Sequence, residues 1–127
     1  MTDSAEDLKM RLERTRQIKI LVTGRKSGAT ITIPVWFVLD EDKLYLLPVY
    51  GSDTQWFKNV EKNRSLAISA GALEASFKPT LMRDPEAVRS VIEKFRAGYG
   101  AADVKKYYSK FDVAVRVGLS HSASATA

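Results

Sequence analysis

The sequence predicts a mainly β, α+β domain: a six-stranded antiparallel barrel with peripheral helices. Three observations predict it. Side chains alternate with a period of two over six segments, which is typical of half-buried strands. Short polar or glycine-containing turns separate several of these segments, and such turns join antiparallel neighbours. Closing into a barrel would then remove the exposed edges of the sheet.

The first three predicted strands form a meander over residues 17–23, 30–39 and 43–47. A glycine-rich turn separates the first two, and an acidic turn separates the next two. Pro34 has no amide hydrogen to donate to a neighbouring strand, so we expect a sheet edge or a bulge there.

A helix and two strands follow the meander. Ser52 and Gln55 have the spacing of a capping box, which predicts a short helix from about residue 53 to residue 62. Alternating side chains predict strands over residues 66–70 and 75–82.

Two helices and a last strand complete the predicted barrel. Asp84-Pro85-Glu86 is typical of a helix start, and Gly98 is expected to end that helix. Asp103 is expected to open the second helix. The apolar residues of the first helix fall on one face and are Val88, Val91, Ile92 and Phe95. Those of the second helix also share a face and are Val104, Tyr107, Tyr108 and Phe111. In the strand, the apolar residues alternate and are Val113, Val115 and Val117.

The chain of 127 residues predicts a single domain over residues 1–119 and a frayed polar tail over residues 120–127. Ser4 is expected to cap a short peripheral helix that includes Leu12. The N-terminus is polar and acidic, and apolar runs fall well short of the ~20 residues of a membrane span. We therefore expect a cytoplasmic protein without a membrane segment.

Composition restricts the chemistry. The chain has no cysteine, which excludes disulfides, thiolate nucleophiles and cysteine-ligated metals. Its single histidine, His121, lies in the predicted tail, so we expect neither a Ser-His-Asp triad nor a metal site. Any redox chemistry would then depend on a bound cofactor.

The strongest candidate site is the basic turn that begins after Thr23. Its two glycines let backbone amides approach an anion, its arginine can fork onto phosphate oxygens, its lysine adds a charge and its serine adds a hydroxyl. An ordinary solvated hairpin turn is the alternative. The residues are Gly24, Arg25, Lys26, Ser27 and Gly28.

A second candidate lies at the predicted helix start, where Gly51, Ser52 and Thr54 could hold a phosphate or a ring carbonyl. A plain helix cap is the alternative. A third candidate is the group Trp36, Trp56 and Phe57, which could form the walls around a flat heterocycle, with Lys58 and Asn59 as polar contacts beside them. Burial in the core is the alternative for these rings.

These motifs resemble the deazaflavin (F420)-dependent nitroreductase family. The similar residues are Thr-Gly-Arg-Lys-Ser-Gly at 23–28, Pro34 with aromatic residues behind it, and Trp56-Phe57-x-Asn59-x-x-x-Asn63. That family belongs to the flavin/deazaflavin oxidoreductases, which share the split β-barrel of pyridoxamine 5'-phosphate oxidase-like FMN-binding proteins.

The resemblance implies a split β-barrel homodimer that transfers a hydride between reduced coenzyme F420 and an electron-poor small organic acceptor. It implies that the 23–28 turn contacts the phosphate and tail of the cofactor. It also places the segment before the tryptophan helix near the cofactor. In the turn, the residues with this role are Arg25, Lys26, Ser27 and Gly28. In the segment, they are Val49, Tyr50, Gly51, Ser52 and Thr54. The further expected contacts are Pro34, Trp36, Trp56 and Lys58.

Position 31 departs from the family pattern, because it is Ile31 where many members carry arginine. An FMN-binding flavoprotein, whose cofactor has a shorter phosphate tail, is therefore an alternative. A non-catalytic protein that binds flavin or haem is another.

The net charge of +5 would also be compatible with a nucleic-acid partner. However, the chain lacks a recognition-helix or RNA-binding strand signature, so we do not expect that partner.

Overall fold

The computed structural model describes residues 11–15, 17–71 and 73–119. Within them, the strands are β1 Gln17–Thr23, β2 Thr30–Trp36, β3 Val38–Asp40, β4 Lys43–Leu46, β5 Leu66–Ala70, β6 Leu73–Phe77, β7 Thr80–Met82 and β8 Ala114–Gly118. The α-helices are α1 Gln55–Asn63, α2 Pro85–Tyr99 and α3 Ala101–Tyr107, and a 3-10 turn at Gly51–Asp53 precedes α1.

The strands form two four-stranded antiparallel sheets, ordered β2-β1-β5-β6 and β3-β4-β8-β7. The edge strands β2 and β6 of one sheet continue along the chain into β3 and β7, the edge strands of the other. This arrangement is a split β-barrel, as predicted. Each of the two longest predicted strands, 30–39 and 75–82, is divided between the sheets, so the six predicted segments become eight strands.

The division between β2 and β3 falls at Phe37, whose backbone pairs with a side chain instead of a strand. The Phe37 amide donates to the Tyr99 hydroxyl at 3.2 Å, and that hydroxyl donates to the Phe37 carbonyl at 2.6 Å. The second division contains Pro79, which has no amide hydrogen to donate to a sheet.

Two buried clusters stabilise the fold. The first fills the barrel and includes the alternating residues Ile18, Ile20 and Val22 of β1, as predicted. The second lies between the β3-β4-β8-β7 sheet and helices α2 and α3, where it buries the predicted face of α2. Complete burial of a large apolar side chain contributes roughly 1.5–3 kcal/mol.

The start of α2 is as predicted, because the Asp84 carboxylate accepts a hydrogen bond from the Ala87 amide at 3.0 Å. Its predicted end at Gly98 is wrong. The helix continues to Tyr99, and Gly100, with φ of 92°, ends it and leads directly into α3. The backbone turn therefore lies at the glycine that adopts a positive φ.

Ser4 and the tail 120–127 lie outside the described residues, whereas Leu12 is buried in the barrel cluster. None of the helices in the described ranges is long and apolar enough to span a membrane.

Candidate cofactor-binding cleft

A cleft of about 830 Å³ lies between β2, the start of α1 and the end of α3. Its volume is within the roughly 300–1,000 Å³ of typical small-molecule sites. The lining residues are Gln17, Ile31, Ile33, Pro34, Val35, Trp36, Leu47, Val49, Tyr50, Asp53, Thr54, Gln55, Trp56, Asn59, Tyr107 and Tyr108.

Exposed apolar side chains converge on this cleft. Among the described residues, the large apolar side chains that are exposed are Ile31 at 39%, Tyr50 at 60% and Tyr107 at 49%, and all three line the cleft. A contiguous exposed apolar patch is typical of a binding surface.

Trp36 forms a rigid part of the cleft wall. Its ring stacks on Tyr99 with centroids 4.4 Å apart and planes 6° apart, and it meets Tyr107 edge-on at 5.3 Å. Tyr99 is itself fixed by its two hydrogen bonds to the Phe37 backbone. A stacked and anchored indole offers a ligand a surface that loses little conformational freedom on binding.

The basic turn is fastened to α1. The Arg25 guanidinium donates to Gln55 Oε1 at 2.8 Å and to Asn59 Oδ1 at 2.8 Å, and the Arg25 amide donates to the same Asn59 oxygen at 3.1 Å. Asn63 Nδ2 donates to the Thr23 carbonyl at 3.0 Å. Both asparagines of the Trp-Phe-x-Asn-x-x-x-Asn pattern therefore join the helix to this turn.

The turn itself closes through backbone hydrogen bonds. The Gly24 amide donates to the Ala29 carbonyl at 2.8 Å, and the Gly28 amide donates to the Gly24 carbonyl at 2.9 Å. Ser27 Oγ accepts from the Ala29 amide at 3.2 Å. Lys26 is exposed.

A shallow recess of about 430 Å³ is lined by Arg25, Ser52, Lys58, Glu61 and Lys62. Three of these five side chains are cationic. Because Arg25 also bonds to two residues of the cleft wall, one hydrogen-bond network connects the basic recess with the apolar cleft.

The predicted capping box at Ser52 is wrong. Its hydroxyl donates to Asp112 Oδ2 at 2.5 Å, and its amide donates to Asp112 Oδ1 at 2.9 Å. Thr54 is the N-cap residue of α1, but its Oγ1 accepts from the Tyr50 amide at 2.8 Å instead of capping the helix. Ser52 therefore fixes the 3-10 turn to the segment before β8.

Two titratable groups at or beside the cleft have displaced pKa values. Burial raises the pKa of the Tyr108 phenol above its ordinary value, and Tyr99 adds to that increase. Burial alone would also raise the pKa of Asp112, but hydrogen bonds from Ser52 and the charge of Lys110 outweigh it and lower that pKa. At neutral pH, Tyr108 is therefore a protonated donor and Asp112 an ionised acceptor.

The structure brings together part of the predicted site. Pro34, Trp36, Val49, Tyr50, Thr54 and Trp56 line the cleft, and Arg25, Ser52 and Lys58 line the recess. Gly24, Lys26, Ser27, Gly28 and Gly51 line neither, and they form the two turns.

The sequence does not indicate Ile31, Tyr107 and Tyr108 as site residues, although they line the cleft. The tyrosines have helical spacing with Val104, which favours a core assignment. Asn59, which the sequence suggests as a polar contact, also lines the cleft. No group of three or more His, Cys, Asp or Glu in the described ranges could hold a metal ion.

Comparison with known proteins places the chain in context. A family model described as "Uncharacterized protein conserved in bacteria (DUF2255)" matches residues 8–117. No curated protein matches the chain.

Solved structures share its fold. An F420-H2 dependent reductase (FDR-A) has a TM-score of 0.62 and 18% identity, over 80% of this chain and 93% of that one. The haem storage protein HutZ from Vibrio cholerae has a TM-score of 0.67 and 14% identity, over 92% of this chain and 90% of that one. A Listeria innocua protein described as a candidate pyridoxamine 5'-phosphate oxidase has a TM-score of 0.65 and 11% identity, over 91% of this chain and 92% of that one. At these identities the likeness shows the split-barrel fold alone.

Proposed function

This chain belongs to the family described as uncharacterized proteins conserved in bacteria (DUF2255), and we propose that it is an oxidoreductase that binds a flavin-type cofactor in the cleft. The observation that carries the proposal is an aromatic cleft whose wall residues Gln55 and Asn59 are hydrogen-bonded to Arg25 of a basic recess. A flat heterocycle with a phosphate tail needs both environments: apolar walls for the ring and cations for the phosphate.

The residues present fit such a group. Trp36 and Ile31 would contact the ring, and Arg25, Lys58 and Lys62 would hold the phosphate end. When bound, a reduced deazaflavin or flavin supplies a hydride to an electron-poor small organic acceptor. The protein contributes binding, orientation and exclusion of water.

The cleft offers few groups for acid–base catalysis. Its one carboxylate, Asp53, is paired with Lys110 at 2.9 Å. Tyr108 remains protonated, so it can orient a ligand by donating a hydrogen bond but does not act as a base. The chemistry we propose therefore depends on placing cofactor and acceptor together.

Coenzyme F420 is the leading cofactor, because the basic turn and the helix motif resemble F420-dependent proteins. FMN is the second candidate on one observation: Ile31 places an apolar side chain, 39% exposed, at the cleft where many similar proteins carry arginine. A shorter phosphate tail would not require that charge.

An absorbance spectrum of the purified protein, followed by titration with F420 and with FMN, tests the proposal. We expect saturable binding of one of them, and turnover when the reduced cofactor is mixed with a quinone or a nitro compound. Binding without turnover would indicate a non-catalytic cofactor-binding protein. The absence of binding to both cofactors would refute the proposal.

We also propose that the protein is a homodimer with the second copy packed on β2. This strand is the edge of its sheet, and none of its seven residues is fully buried. Light scattering should give about twice the mass of one chain, and Thr32→Asp, on β2 but outside the cleft, should shift the protein towards the monomer. A wild-type monomer would contradict this proposal.

A further inference from the structure

The part of the chain that the structure describes buries two non-aromatic polar side chains, Asn59 at 4% exposure and Thr54 at 8%. Both line the cleft. Burial of a polar group is costly unless its hydrogen-bonding capacity is used, so two such groups in one wall require an explanation.

The orientation of the Asn59 amide is fixed chemically. Its oxygen accepts hydrogen bonds from the Arg25 amide at 3.1 Å and from Arg25 Nη1 at 2.8 Å. Both Arg25 groups can only donate, so the Asn59 oxygen must face them and its Nδ2 must face away. No described residue accepts a hydrogen bond from Nδ2, and this atom is not enclosed within the protein. The donor is therefore open to the cleft.

Thr54 has a similar arrangement. Its Oγ1 accepts from the Tyr50 amide at 2.8 Å, so the hydroxyl hydrogen must point elsewhere. Within the described ranges, no acceptor receives that hydrogen. In both side chains, the protein therefore satisfies an acceptor and leaves a donor available in the cleft.

We propose that Asn59 Nδ2 and the Thr54 hydroxyl are a donor pair that recognises carbonyl oxygens on the edge of the ring bound in the cleft. Both donors are uncharged and belong to largely buried side chains, which suits neutral ring carbonyls, whereas the cationic side chains of the recess suit phosphate. This assignment rests on the proposed function. It selects a ring that carries acceptors on its edge, such as the dione of a flavin or deazaflavin.

Asn59→Asp is the sharpest test. An aspartate keeps the size of the side chain and its acceptor towards Arg25, but it replaces the available donor with an acceptor. Titration with FMN and with F420 should show at least about 10-fold weaker binding, because one hydrogen bond is lost and two oxygens face each other. Unchanged affinity would overturn the assignment.

Matched variants complete the test. Thr54→Val should weaken binding by roughly 3- to 10-fold, and Thr54→Ser, which keeps the donor, should stay within about 2-fold of wild type. Ser90→Asp introduces the same charge on the exposed face of α2, outside the cleft and the recess, so it should leave the affinity unchanged. If Asn59→Asp does not fold, as judged by circular dichroism, the Thr54 pair decides alone.

The two levels of proposal fail differently. If wild-type protein binds neither cofactor, the proposed function fails and the donor pair fails with it. If wild-type protein binds but Asn59→Asp and Thr54→Val bind equally well, only the donor pair is refuted.

Discussion

The two glycine-containing turns beside the cleft are both candidate anion sites by sequence, but the structure secures them with opposite charges. In the first turn, the cation Arg25 donates to the neutral amides of Gln55 and Asn59. In the second turn, the carboxylate of Asp112 accepts from Ser52, and Asp53 pairs with Lys110. An anionic ligand is therefore favoured at the first turn, whereas the second is better suited to shaping the cleft.

The glycines differ in the same way. Gly28 has φ of 74° and open space where a Cβ atom would lie. Gly51 has φ of 57°, and a Cβ atom there would overlap with Asp112 Oδ1. The first turn needs only a backbone conformation, but the second also needs the absence of a side chain.

Gly51→Ala should have the largest effect on stability. The left-handed backbone alone costs roughly 1–2 kcal/mol for alanine, and displacement of Asp112 adds to it, so we expect a loss of about 3 kcal/mol in the free energy of unfolding. Urea denaturation measures it. Gly28→Ala is the control and should cost only about 1 kcal/mol. Equal losses would remove the distinction between the turns.

Arg25→Ala should have the next largest effect on stability. It removes the hydrogen bonds to Gln55 and Asn59 and leaves the buried Asn59 oxygen without its donors, so we expect a loss of about 2 kcal/mol. Arg25→Lys should recover little, because an ammonium lacks the fork that spans two amides. Lys26→Ala, in the same turn but exposed, should stay within about 0.5 kcal/mol of wild type by thermal or urea denaturation.

The contrast between these turns also explains what could be predicted from sequence. Strand β1, the start of α2 and the presence of a basic turn depend on residues within a few positions of each other, and periodicity and capping rules capture them. The partner of Ser52 is 60 residues away, and Phe37 is separated from Tyr99 by 62 residues. A single sequence contains no local signal for such pairs.

The same reason limits the prediction of the site. The sequence indicates Trp36 and Trp56 as site residues, because an aromatic ring can pack against a heterocycle in many positions. Tyr107 and Tyr108 were not selected, because their spacing also fits a buried helix face and only the position of α3 against β2 brings them to the cleft.

Asp112→Asn should have a smaller effect, and one that depends on pH. The pKa of Asp112 is lowered in the folded state, so its contribution is present above the unfolded pKa of about 3.9 and is lost as the pH falls through the folded value. The carboxylate is 40% exposed, so solvent screening limits this contribution to about 1 kcal/mol or less. In urea denaturation, wild type should lose stability relative to the variant as the pH falls from about 5 to below the unfolded pKa of about 3.9. Parallel curves would show that the ion does not secure the second turn.

Lys58→Ala should have the smallest effect of these variants. We expect it to change the affinity for FMN and not the stability of the fold. Lys58 lines the basic recess, so its removal should weaken FMN binding by roughly 2- to 3-fold at low salt. Screening should reduce that difference in 0.5 M salt, where the Debye length is only about 4–5 Å. Lys43→Ala, exposed on β4 and outside both the cleft and the recess, is the matched control and should bind FMN like wild type. If the two variants weaken binding equally, the attraction comes from the net charge of the protein and not from the recess beside the first turn.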